Sequence, residues 1–114
     1  MKKILIKPLS VNRCWQGKRF KTPDYKAYEQ ELWYLLPNKN IPQGKLELNI
    51  KVGFSSKLAD IDNIAKPLID ILQKKYIFND KQIFKLVLEK EDVKKGSEYI
   101  SFSFKKYARS KKTN

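Results

Sequence analysis

The stretch Lys45-Leu46-Glu47-Leu48-Asn49-Ile50-Lys51-Val52-Gly53-Phe54 decides the fold. Leu46, Leu48, Ile50, Val52 and Phe54 share one face at a period of two, with mostly polar residues opposite. That alternation predicts a half-buried strand. After a short connection over residues 55–59, Ile61, Ile64, Leu68, Ile69, Ile71 and Leu72 recur at helical spacing, giving an amphipathic helix from about 63 to 75. Pro67 lacks a backbone donor and restricts Lys66, so the helix is expected to start late or to bend there.

Upstream, Thr22-Pro23-Asp24 reads as a helix start, with Thr22 as N-cap and Pro23 at the first helical position. Tyr25, Tyr28, Leu32, Leu35 and Leu36 follow at helical spacing, and Pro37-Asn38 stops the helix. Tyr28, Trp33 and the leucines of this helix are expected in the core. Lys3–Ile6 is a plausible first strand, and Pro8 to Pro23 reads as a long exposed loop of the kind that is usually functional or disordered. Downstream, Ile83–Glu89 and Glu98–Phe104 are two further strands joined by a Lys94-Lys95-Gly96 turn. The order β-α-β-α-β-β predicts an α+β domain, a small mixed sheet with two main helices, over residues 1–104. Residues 105–114 read as a basic tail.

Composition narrows the chemistry. With no His in 114 residues, a Ser-His-Asp triad, a Cys-His pair and a histidine metal ligand are all excluded. The single Cys14 excludes an internal disulfide and a Cys-rich zinc site, and an unpaired thiol suits a reducing compartment. Hydrophobic residues at 41% argue for a folded chain, yet no apolar run approaches the roughly 20 residues that span a bilayer. A cytoplasmic protein is expected, with no membrane partner.

The net charge of +13 points to a polyanion, nucleic acid above all. Its distribution is more informative. Residues 1–21 carry seven cations and residues 105–114 carry five, neither with an acid. Between 60 and 80, Asp60, Asp62, Asp70 and Asp80 face Lys66, Lys74 and Lys75, a net −1 inside a chain that is otherwise +14. Carboxylates repel phosphate, so clustering them is unhelpful to a protein that only holds a nucleic-acid backbone. The cluster has either a structural cause or a cation.

Asp60 and Asp62 sit between strand and helix, Lys66 lies one helical turn after Asp62, and Asp80 falls where the chain returns. If the chain brings these together, three carboxylates without His form a hard oxygen site suited to Mg²⁺, with Mn²⁺ as a substitute. Lys66 would then neutralise charge on a phosphorane-like transition state. Plainer roles exist for each: Asp62 or Asn63 as a helix N-cap, Asp62 and Lys66 as a surface pair, Asp80 as a turn residue, Asp70 as an ion-pair partner. In the basic loop, Asn12, Arg13, Trp15, Lys18, Arg19, Phe20 and Lys21 interleave cations with aromatics, which suits phosphate contact with base stacking or wedging. The plainer alternative is that Trp15 and Phe20 pin the loop to the core.

Asp60-Ile61-Asp62-Asn63-x-x-Lys66-Pro67-Leu68-x-Asp70-x-Leu72, followed by Asn79-Asp80-x-Gln82-Ile83, resembles the RusA family of Holliday junction resolvases. Pro8-Leu9-Ser10-Val11-Asn12-Arg13-x-Trp15 also resembles that family's N-terminal segment, so the likeness runs from about residue 4 to 104. The resemblance implies a RusA-like fold and a metal-dependent, structure-selective endonuclease. It implies that Asp60, Asp62 and Asp80 are essential carboxylates and that Lys66 is essential too. It also implies a homodimer that places two active sites on a four-way DNA junction and makes paired nicks. A bacterial cytoplasm, with a prophage or phage as the gene's carrier, is implied as well. Where the family often has a basic residue just before the first Asp, this chain has Leu58-Ala59, leaving Lys57 as the nearest cation and a DNA-binding candidate. Two readings without this activity class remain open at the level of sequence: a non-catalytic nucleic-acid-binding protein of phage replication or regulation, and a metal-dependent ribonuclease.

Overall fold

A computed structural model describes residues 2–17, 20–57 and 60–109. Two short strands, β1 (Trp15–Gln16) and β2 (Phe20–Lys21), precede helix α1 (Pro23–Leu35). Strand β3 (Leu46–Phe54), helix α2 (Ile61–Tyr76), strand β4 (Ile83–Asp92) and strand β5 (Tyr99–Lys106) follow. The class is α+β, and the β-α-β-α-β-β order expected from the sequence holds for the main elements. Among the described residues, no helix is long and apolar enough to cross a membrane.

Strand β3 is the centre of a three-stranded sheet ordered β4-β3-β5. It runs parallel to β4 and antiparallel to β5. A parallel neighbour needs a long crossover, and α2 supplies it. The Lys94-Lys95-Gly96 turn therefore joins strands on opposite sides of β3 rather than a hairpin. The alternating face of β3 lies in the core as expected: Leu46, Leu48, Ile50, Val52 and Phe54 are all buried. Ile64, Leu68, Ile71 and Leu72 of α2 and Tyr25, Tyr28, Leu32 and Leu36 of the α1 segment belong to the same cluster.

Several expectations need correction. The strand over Lys3–Ile6 reduces to one bridge, Ile4 to Ile100. The segment after Pro8 is not a bare loop: it forms a 3₁₀ turn at Val11–Arg13, the β1–β2 hairpin and a buried Cys14. Helix α2 starts two residues earlier than predicted, at Ile61, and runs on through Pro67. Pro67 is itself buried among the apolar residues facing the sheet, and that burial offsets the hydrogen bond its ring removes. Trp33 and Leu35 are not core residues. They are 42% and 40% exposed, because α1 turns them away from the sheet, and the Lys75 ammonium sits 5.0 Å over the Trp33 ring. Strand β5 continues through Lys106, two residues into the stretch expected to be tail.

Candidate active site

The Asp62 region is built by the exit of β3 into α2. Asp60 is the N-cap of α2 in extended conformation, and its carboxylate makes no capping bond. Neither Asp62 nor Asn63 is the cap. Asp62 lies in the first turn, where the helix dipole favours a negative charge. Asp62, Lys66 and Asp70 follow at spacings of four, so they lie along one face of the helix. The side chains of Asp60, Asp62 and Lys66 make no hydrogen bond or ion pair with the described residues, which removes the surface-pair reading of Asp62 and Lys66.

The Asn79-Asp80-x-Gln82 motif is a presenting device. Asn79 caps a 3₁₀ turn over Asp80–Gln82: its side chain accepts from the Lys81 N–H at 2.9 Å, and its own N–H donates to Gln82 Oε1 at 3.0 Å. The other end of the Gln82 amide donates to the Gly44 carbonyl at 2.9 Å, tying the turn to the start of β3. The chain reaches this turn through Ile77, a left-handed residue at φ 53° that reverses direction at the end of α2. The N–H of Asp80 then donates to Gln73 Oε1 at 3.0 Å, while Gln73 Nε2 lies 3.5 Å from Asp70 Oδ1. Gln73 thus links the turn carrying Asp80 to the carboxylate face of α2.

These elements enclose a cleft of about 500 Å³ lined by Asp62, Lys66, Asp70 and Asp80, with Phe84 and Leu86 of β4 opposite. Asp70 is half-buried, and burial pushes its carboxyl above the usual range. Lys66 and Lys74 pull it back, and the neighbouring Asp80 carboxylate adds to the rise. Asp60 stands outside the lining. Eleven residues of helix, about 16 Å along the axis, separate Asp62 from Gln73, to which Asp80 is tied. Among the described residues, no three Cys, Asp or Glu side chains converge closely enough to hold one metal ion. Asp62, Lys66 and Asp80 do share the cleft.

The basic segment is divided. Asn12 and Arg13 are exposed on the 3₁₀ turn, which packs against α2. Trp15 is 43% exposed and meets Tyr25 edge-on at 5.7 Å, so it helps anchor the hairpin, whereas Phe20 is 73% exposed. Lys21 is engaged with Glu29 at 2.9 Å, and Lys74 meets the same carboxylate at 2.9 Å. Burial would push Glu29 up, but hydrogen bonds from Lys21 and Lys74 outweigh it and hold the carboxyl below its ordinary value. Lys57 is exposed, three residues after the core residue Phe54 and separated from it by Ser55-Ser56. Lys18 and Arg19 lie outside the described residues.

Sequence reasoning did not single out Gln73. The available signal is its spacing, three residues after Asp70 and seven after Lys66, which places it on the carboxylate face.

A cationic α+β domain with a cleft of carboxylates and one lysine has the makings of a phosphodiester-cleaving enzyme. The family model for endodeoxyribonuclease RusA matches residues 10–101, and the chain belongs to that family. No curated protein matches the sequence at a significant level.

Proposed function

We propose that the protein is a Mg²⁺-dependent endonuclease that resolves four-way DNA junctions, working as a homodimer that nicks paired strands. The observation that carries this is the cleft lined by Asp62, Lys66, Asp70 and Asp80, on a RusA-family chain of net charge +13. The cationic shell attracts the phosphates, and the carboxylates mark where a phosphate approaches only in company with a cation.

The donor chemistry fits Mg²⁺ or Mn²⁺, since every candidate ligand is a hard oxygen. Among the described residues, no three of these carboxylates converge on one point. Mg²⁺ does not require such convergence, because it usually takes one or two carboxylates and completes its shell with water and substrate phosphate. Asp60 and Asp62 would serve at the start of α2, and Asp80 beside Asp70. The bound ion would supply Lewis-acid polarisation of the phosphodiester and a more acidic water. Lys66, midway along the row and unpaired with any described carboxylate, would bind the scissile phosphate and offset charge as it builds in the transition state. Gln73, Asn79 and Gln82 hold the Asp80 turn in place. Asn12, Arg13 and Lys57 would contact backbone phosphates, and the exposed Phe20 would wedge or stack on bases.

One further feature supports the dimer. Strand β4 is a sheet edge carrying exposed Phe84, Leu86 and Val87, and this edge borders the cleft. A twofold pair would present two clefts to two opposed strands. A cytoplasmic location agrees with this substrate.

The test is a Mg²⁺ titration with a synthetic four-way junction, with Asp62→Asn alongside. Paired symmetric nicks by the wild type, and binding without cutting by Asp62→Asn, are expected. Full cutting by Asp62→Asn would overturn the site. Junction binding by the wild type with no cutting at any Mg²⁺ concentration would favour the non-catalytic reading, and preferential cutting of RNA the ribonuclease reading.

A further inference from the structure

Glu29 sits where three elements meet. Lys21 reaches it from β2 and Lys74 from α2, each at 2.9 Å. Both ammonium groups contact the same oxygen, Glu29 Oε2, at 3.0 Å and 2.9 Å, so their nitrogens lie within about 6 Å of each other. One lysine is enough to neutralise a carboxylate. The second adds a like charge that repels the first and leaves the trio at net +1. An ammonium group has three donors. Lys74 spends one on Glu29 and Lys21 at most two, so both keep a hydrogen for a further acceptor. The Lys74 side chain is 53% exposed against 22% for Glu29, so the solvent meets the cation more than the carboxylate.

The trio opens on a groove between α1 and α2, about 440 Å³ in volume, lined by Lys26, Glu29, Gln30, Trp33 and Lys74. Lys26 is exposed and has no ion-pair partner among the described residues. Trp33 gives the groove an apolar wall, with the Lys75 ammonium over its ring. A groove with several cations, one carboxylate and an exposed ring suits an extended polyanion better than a free ion. Its place is set by α2. Asp70 lines the carboxylate cleft, and Lys74, one helical turn later, lines the groove, so the two are neighbours along the helix. Lys66 and Lys74 are separated by about 12 Å along the axis. That is the length of roughly three or four stacked nucleotides at about 3.4 Å each.

We infer that Lys21 and Lys74, held side by side by Glu29, form a phosphate clamp that grips the DNA strand a few nucleotides from the scissile phosphate, with the strand continuing along the α1–α2 groove past Lys26 and Trp33. The inference rests on the DNA-junction reading and adds a register to it. A phosphate takes one charge-assisted hydrogen bond of about 2.8 Å from each ammonium group, and its charge answers the net +1 that Glu29 leaves over. Glu29 is a positioning residue here: it aims the two lysines and does not touch the DNA. Because Lys66 and Lys74 stand on one rigid helix, a phosphate fixed at the clamp fixes which linkage of the same strand lies at Lys66. Lys21 comes from the hairpin and Lys74 from the helix that carries the carboxylates, so the clamp also ties the basic segment to the cleft.

The experiment measures junction affinity without divalent metal, with one uncharged methylphosphonate linkage placed in turn at each phosphate near the branch point. Wild type is expected to bind more weakly at a short run of linkages. Lys74→Gln should bind the unmodified junction about three- to tenfold more weakly, with the slope of log affinity against log salt reduced by about one. At one linkage the uncharged substitution should weaken the wild type by a similar factor and leave Lys74→Gln and Lys21→Gln little affected, since the changes remove one contact. Lys74→Arg keeps the charge and should keep the response at that linkage. A purely structural ion-pair link predicts otherwise: Lys74→Gln melts at a lower temperature, yet binds the unmodified junction like the wild type or responds to every uncharged linkage as the wild type does. Either result would overturn the clamp while leaving the junction reading intact. Failure of the wild type to bind the junction would overturn both.

Discussion

Gln73 provides the most direct test of how the cleft is held together. Its side chain is the link between the α2 face and the turn that presents Asp80, accepting the Asp80 N–H at 3.0 Å. Its contact with Asp70 at 3.5 Å is long and adds little. In Gln73→Ala the exposed Asp80 N–H turns to water, so the stability cost sits near the low end of about 0.5–1.5 kcal/mol for one hydrogen bond. Alanine's better helix propensity returns a few tenths of that. The net is below about 1 kcal/mol, which lowers the melting temperature of a domain this size by no more than about 4 °C.

The effect on catalysis is larger. The Asp80 turn keeps its Asn79–Gln82 box and its tie to Gly44, so it stays folded but drifts relative to α2. A misplacement of about 1 Å at reacting groups costs on the order of 100-fold. Gln73→Ala is therefore expected to bind the junction like the wild type, cut it about 10- to 100-fold more slowly in single turnover, and need more Mg²⁺ for half-maximal rate. Gln73→Met, which keeps the volume but not the hydrogen bonds, should behave the same way. Cleavage within threefold of wild type by both variants would refute the positioning argument.

Other outcomes follow from single features. Ile77 is 89% exposed at φ 53°, a conformation that costs an L-residue about 1–2 kcal/mol, so Ile77→Gly should raise the urea midpoint despite the looser unfolded chain. A Cβ at Gly53 would overlap the Tyr99 ring, so Gly53→Ala should lower stability by about 1–3 kcal/mol in the same assay. Glu29 titrates below its unfolded value of about 4.3, so its pairing stabilises fully above that pH and is lost as pH falls through the lower folded value. Glu29→Gln should accordingly flatten the acid limb of a stability-versus-pH curve, and an unchanged limb would count against the Lys21–Glu29–Lys74 link. Junction affinity should fall steeply as salt rises, because phosphate contacts release counterions; a flat response would remove the electrostatic case for DNA.

What the sequence made legible depends on the range of the interaction. The alternation of β3 and the i, i+4, i+8 placement of Asp62, Lys66 and Asp70 are local, and both survive in the fold. Trp33 misleads because hydrophobicity at helical spacing does not say which neighbour a residue meets; its cover is Lys75, a full element away. Pro67 misleads because its local cost is real and only the packing of α2 on the sheet outweighs it. The Asn79-Asp80-x-Gln82 run is recognisable as a turn, but its register is set by Gly44, thirty-eight residues earlier in the chain. The same reasoning bears on the metal. Sequence leaves one ion or two open for Asp60, Asp62 and Asp80, and among the described residues no three carboxylates converge on one point. Within the proposed function, the scissile phosphate with its bound cations is the component that would join these carboxylates. On that reading the substrate completes the site, and binding and assembly of the catalytic groups become one event. The consequence is measurable: junction DNA should tighten Mg²⁺ binding and Mg²⁺ should tighten junction binding by the same factor.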